Sequence, residues 1–159
     1  MADIRLADKM QGGFFTTNTT RLRIPRLQFS AIKNDILGEN YSLSIAFVDE
    51  KKSRELNKKY RKKDKVANVL SFSLKKKEGE IILCGTVIKK EAESFGKTFG
   101  LHLGILVIHG MLHLKGMRHG SIMDKAEKKY DQKYFYRNRR RFLHDPDSSG
   151  GISQRRTKS

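Results

Sequence analysis

The chain has a single cysteine, Cys84, so no disulfide can close within it and a cysteine-based zinc knuckle is excluded. In "GEIILCGTV" that residue reads as a small buried hydrophobe. No apolar run approaches the roughly 20 residues of a membrane span. The N-terminal "MADIRLADKMQGG" lacks a continuous apolar core and carries two aspartates, unlike a secretory signal. A cytoplasmic protein with no membrane partner is the expectation. Acids are also scarce, with 17 Asp and Glu against 34 Lys and Arg, which leaves a formal charge of +17. Such an excess favours polyanionic partners and says nothing about fold.

No internal repeat is present. At 159 residues the chain fits one domain, expected over residues 1–145, and a basic tail over 146–159 whose composition predicts disorder. "IPRLQFSAIKNDILG" spaces Ile24, Leu27, Ala31 and Ile36 as an amphipathic helix, with Pro25 near its start and Gly38 past its end. "YSLSIAFVD" alternates apolar and small polar residues as a half-buried strand. Asp49 predicts the N-cap of a helix through "EKKSRELNKKYRK", with Leu56 and Tyr60 facing inward. "VANVLSFSL" (66–74) and "EIILCGTVI" (80–88) predict two strands joined by the basic turn "KKKEG". A short helix through "KKEAESFGKTF", an apolar helix from Leu101 to about Lys115 and a charged helix over roughly 122–142 complete the order. The middle one is apolar nearly all round, which puts it at the centre of the domain. The fold class expected is α+β, a small mixed sheet packed by helices around a central, apolar, metal-binding helix.

Three of the five histidines fall in "HGMLHLKGMRH", as His109-x3-His113-x5-His119. On a helix His109 and His113 lie one turn apart on the same face. Gly116 can end that helix in a left-handed turn and bring His119 back as a third ligand. Three neutral imidazoles with an open fourth position predict a catalytic zinc site, one Zn2+ per chain. His102 is seven residues before His109, roughly 10 Å along the helix, too far to share the ion. It reads as a core histidine, with a polar wall of a cleft as the alternative. His144, in the tail, reads as surface. The spacing also fits the long zinc-protease signature, but position 110 is Gly where that signature has its general-base Glu. A glycine there is expected to leave open space beside the ion, suited to a bulky phosphodiester.

The motif H-G-x-L-H-L-x-G-x-x-H, met by His109, Gly110, Leu112, His113, Leu114, Gly116 and His119, resembles that of the YbeY family of metal-dependent endoribonucleases in ribosomal RNA maturation. "RELNKKYRKKDKVANVLSF" is similar to a second block of that family, and "GEII" (79–82) to a third; the resemblance runs from about Ile24 to Tyr130. Departures are Arg118 for an Asp, Ala67 for a Thr, Ser73 for a Pro and Glu80 for an Asp, none at a histidine; the "YRNRRRF" ending also departs from the family's last helix. The resemblance implies that the three histidines hold the metal and that Arg61, in the "YR" block, lines the cleft. Taken alone, Arg61 reads as a solvated base among its neighbours. As a cleft residue its guanidinium suits the charge that builds on phosphoryl oxygens.

Residues 51–65 hold nine Lys and Arg against two acids, and "RNRRR" and "RRTK" add two further clusters. Lys58, Lys59, Lys62, Lys63, Arg139 and Arg140 are the candidate RNA contacts, a phosphate track with strong salt dependence. Phe72 reads as core packing, with base stacking as the alternative. These readings converge on a single-strand-specific, zinc-dependent endoribonuclease acting on a ribosomal RNA precursor or ribosomal subunit. A non-catalytic zinc-containing RNA- or ribosome-binding protein is the alternative, and a metalloprotease is a more distant one.

Overall fold

The structure is a computed structural model that describes residues 12–136. Four strands, β1 (Phe14–Asn18), β2 (Ser42–Val48), β3 (Val69–Lys75) and β4 (Glu78–Cys84), form a sheet in the order β1-β2-β4-β3. β1 and β4 run parallel to β2, while β3 returns antiparallel to β4 through a tight turn. Among the described residues five α-helices accompany them: α1 (Phe29–Ile36), α2 (Glu50–Arg61), α3 (Gly85–Ser94), α4 (Phe99–Leu114) and α5 (Ser121–Asp131), which continues into a π-helical turn at Gln132–Tyr136. A mixed sheet with helices is the α+β class that the sequence predicted.

The sheet separates two unequal cores. On one face Leu43, Ile45 and Phe47 of β2 and Ile81 and Leu83 of β4 meet α1, α3, α4 and α5 in the larger cluster. On the other, Ala46, Val48, Leu70 and Ile82 meet Leu56 of α2. Burial of a large aliphatic side chain contributes roughly 1.5–3 kcal/mol, and Leu103, Val107, Ile108, Met111 and Leu112 of α4 are all wholly inaccessible. The position of α4 follows from that. Among the described residues no single helix is long and apolar enough to cross a membrane.

Four sequence expectations need correction. The first helix begins at Phe29, after a segment around Pro25 that has no regular secondary structure, and its buried residues are Phe29, Ile32, Lys33 and Ile36, while Ala31 is exposed. β2 is buried along its whole length: as an inner strand it is covered on both faces, so even Ser42 and Ser44 are buried. The strand expected to reach residue 88 ends at Cys84, and α3 starts at Gly85. α2 buries Ser53, Leu56 and Asn57, leaving Tyr60 43% exposed where its ring meets Phe72 edge-on at 5.3 Å. Asp49 caps α2 as expected, accepting from the Lys52 amide at 2.8 Å. The end of the last predicted helix, residues 137–142, and the tail at 146–159 lie outside the described residues.

Candidate metal centre

α4 is capped by Thr98, whose hydroxyl accepts from the Leu101 amide at 3.1 Å, and it carries His109 and His113 on its last two turns. Beyond Leu114 the amide of Gly116 donates to the His113 carbonyl at 2.9 Å and that of Met117 to the Leu112 carbonyl at 3.0 Å. This pair of bonds is a Schellman ending, and it needs a left-handed residue just past the helix. Gly116 supplies it, at φ +104°. The chain then doubles back, and the His119 ring comes to 5.1 Å from that of His109 and 4.7 Å from that of His113. One nitrogen from each of the three rings falls within 4.8 Å of the others.

The atoms that face each other are informative. His109 Nε2 and His113 Nε2 stand 3.0 Å apart, close to the roughly 3.3 Å expected of two tetrahedral ligands bonded at about 2.0–2.1 Å. The opposite nitrogens are engaged by acceptors. His113 Nδ1 donates to the Met117 carbonyl at 3.0 Å, and His109 Nδ1 to Glu127 Oε1 at 2.5 Å. Protons on both Nδ1 atoms leave both Nε2 lone pairs bare and converging, the tautomer a metal ligand needs. Burial, with His109 alongside, holds the His113 imidazole below its ordinary range and so neutral. The donor set therefore fits a divalent ion of the zinc type. Glu127 was not anticipated: on α5 it is one charged residue among many, and only the packing of α5 against α4 brings it to His109.

The three histidines line a cleft of about 850 Å³ together with Arg61, Lys63, Lys65, Asn68 and Glu91. The η-nitrogen of Arg61 donates to the Ser71 carbonyl at 2.6 Å, and its guanidinium lies 5.5 Å from the Phe72 ring centre. The other basic candidates scatter. Lys63 lines the cleft, but Lys58 lies in a separate groove on α2, 4.0 Å from Asp64. Lys59 sits over the Tyr60 ring at 5.2 Å, and Lys62 is the exposed left-handed residue that ends α2. Neither Lys59 nor Lys62 lines the cleft. Arg139, Arg140 and His144 lie outside the described residues. Phe72 packs against the smaller core beneath α2. His102 is a core histidine, its side chain 8% exposed and its Nε2 3.1 Å from Glu91 Oε1.

Gly110 requires a correction. A Cβ there would come within 3.0 Å of Ser71 Oγ and 3.2 Å of Ile81 Cδ1, so the position faces the sheet. Its missing side chain lets α4 approach β3 and β4, where Ser71 Oγ donates to the Gly110 carbonyl at 3.2 Å. It does not open space in front of the histidines.

A family profile described as Endoribonuclease YbeY matches residues 15–138. Among curated relatives, the Endoribonuclease YbeY of Staphylococcus carnosus (strain TM300) is 37% identical over 117 residues, which cover 66% of this chain and 76% of that protein. The Staphylococcus saprophyticus protein of the same name gives the same identity and coverage. That of Staphylococcus aureus (strain JH9) is 36% identical over 111 residues, 61% of this chain and 72% of its own length. A solution structure of a Thermotoga maritima protein shares the fold, with a TM-score of 0.62 at 24% identity over 87% of this chain and 99% of that one.

Proposed function

Since this chain belongs to the Endoribonuclease YbeY family, we propose that it is a zinc-dependent, single-strand-specific endoribonuclease acting on ribosomal RNA precursors, free or within a ribosomal subunit. The observation that carries the metal part of this reading is the pair of Nε2 atoms 3.0 Å apart, each on a ring whose opposite nitrogen meets an acceptor. His109, His113 and His119 hold the ion, and imidazole donors suit zinc. Bound there, zinc would lower the pKa of water towards about 7 and polarise a phosphoryl oxygen.

The chain's own residues divide the remaining work. Arg61 is anchored at Ser71 and Phe72, so its guanidinium meets the scissile phosphate with little freedom left to lose. Lys63 and Lys65 extend the positive wall for flanking phosphates. The cleft is open, and His119 is exposed beside it; three protein ligands facing solvent favour a catalytic ion over a structural one. That weighs against the purely RNA-binding reading. A protease reading lacks its glutamate, because position 110 is a glycine turned to the sheet.

The test is metal analysis of purified protein beside cleavage of single-stranded RNA, duplex RNA and a peptide substrate, each with and without chelator. About one zinc per chain and chelator-sensitive cutting of single-stranded RNA alone are expected. Undiminished cutting after chelation, or cutting of the peptide, would overturn the reading.

A further inference from the structure

Among the described residues that line the cleft, Glu91 is the only carboxylate, and it shares that lining with Arg61, Lys63 and Lys65. A surface that only bound a polyanion would gain nothing from it, since a carboxylate repels phosphate. Yet it is held firmly. Asn68 Nδ2 donates to Oε1 at 3.0 Å and reaches Oε2 only at 3.4 Å, and His102 Nε2 lies 3.1 Å from the same Oε1. Asn68 is itself fixed: its side-chain oxygen accepts from the Val69 amide at 2.7 Å, and its carbonyl from the Cys84 amide at 3.0 Å. His102 comes from the buried side of α4. One oxygen is thus tied into the protein from two directions, while the other keeps accepting capacity on a side chain 33% exposed to the cleft.

Resting on the reading of this cleft as an RNA-cleaving site, we propose that Glu91 is a catalytic residue, the proton acceptor of the reaction. Its Oε2 takes a proton from the attacking water as the water oxygen bonds to phosphorus. The phosphorus–oxygen ester bond then breaks, and the displaced ribose oxygen takes a proton from solvent. Glu91 returns its own proton to solvent before the next turnover. The base that a zinc protease carries on the histidine helix is here supplied by α3, which packs beside it.

Glu91→Gln tests this, because the amide carbonyl can keep the bond from Asn68 while the basic oxygen is lost. We expect kcat for single-stranded RNA to fall about 100-fold or more, with KM unchanged, RNA affinity equal or tighter, and zinc content and thermal midpoint as in the wild type. Glu91→Asp, which keeps the carboxylate but draws it back, should recover part of the rate. Wild-type turnover in Glu91→Gln overturns the proposal, and so does a loss of zinc, or a fall in RNA affinity matching that in kcat. A wild-type chain that cuts no RNA would bring down the proposed function and the base with it; an active wild type with an equally active Glu91→Gln removes Glu91 alone.

Discussion

α4 and α2 both lend side chains to the same cleft, and they are held in opposite ways. Ten of the sixteen residues of α4 are buried, against three of the twelve in α2. α4 is fixed by dispersion and apolar burial over most of its surface, so its two histidines have little freedom before any ligand arrives. α2 rests on one leucine and on polar ties: the Asp49 cap, Ser53 Oγ to the Ala67 carbonyl at 2.7 Å, Asn57 to the Lys65 carbonyl at 2.9 Å, and Arg61 to the Ser71 carbonyl. A metal needs ligands placed to tenths of an ångström, whereas a phosphate accepts a guanidinium over a wider range. The rigid helix suits the first task and the polar, solvated one the second.

The largest effect expected is at the rigid end. His113→Ala should remove the zinc and lower RNA turnover by about 1000-fold or more, as for residues that act as a unit, with the fold retained because the imidazole sits at the cleft surface. Zinc analysis beside circular dichroism and RNA cleavage checks it; full zinc retention would sink the site as drawn. Arg61→Ala should come next, lowering kcat by about 10²–10³ while RNA affinity falls by less than about tenfold, since Lys63 and Lys65 remain. Equal losses in turnover and binding would make Arg61 one phosphate contact among several and blur the contrast between the helices.

Smaller effects concern stability. Gly110→Val should destabilise the protein by about 1–3 kcal/mol in denaturant titration, because the new methyl groups meet Ser71 and Ile81 where α4 touches the sheet. A neutral result would mean that the helix can slide, contrary to the account above. Asp49→Ala should cost only about 1 kcal/mol and leave zinc content untouched. A loss of zinc in that variant would couple the two helices more tightly than their contacts suggest.

Much of the site was legible because its signals are local. The i, i+4 histidines, the glycine turn and the third histidine lie within eleven residues, and each part follows from helix geometry alone. Asp49 was readable for the same reason. The extent of α1 and the burial of β2 were not: Pro25 and Leu27 fit a helical pattern as well as an extended one, and alternation cannot reveal that both faces of a strand are covered. Of the four candidate lysines at the end of α2 and just past it, only Lys63 lines the cleft. A charge run shows that a helix is solvated, not which of its positions turn towards a cleft.

The sequence by itself determined the apolar helix, a histidine spacing able to hold a metal and the positive character of the chain, since each depends on residue type and on spacing of a few positions. Only the tertiary structure decided that Glu127 orients His109, that Glu91 enters the cleft from α3, and that Gly110 faces the sheet. Glu127 lies 18 residues from its histidine, and Asn68 lies 23 from Glu91. Contacts at such separations are set by how helices pack on a sheet, and packing depends on the whole buried surface at once.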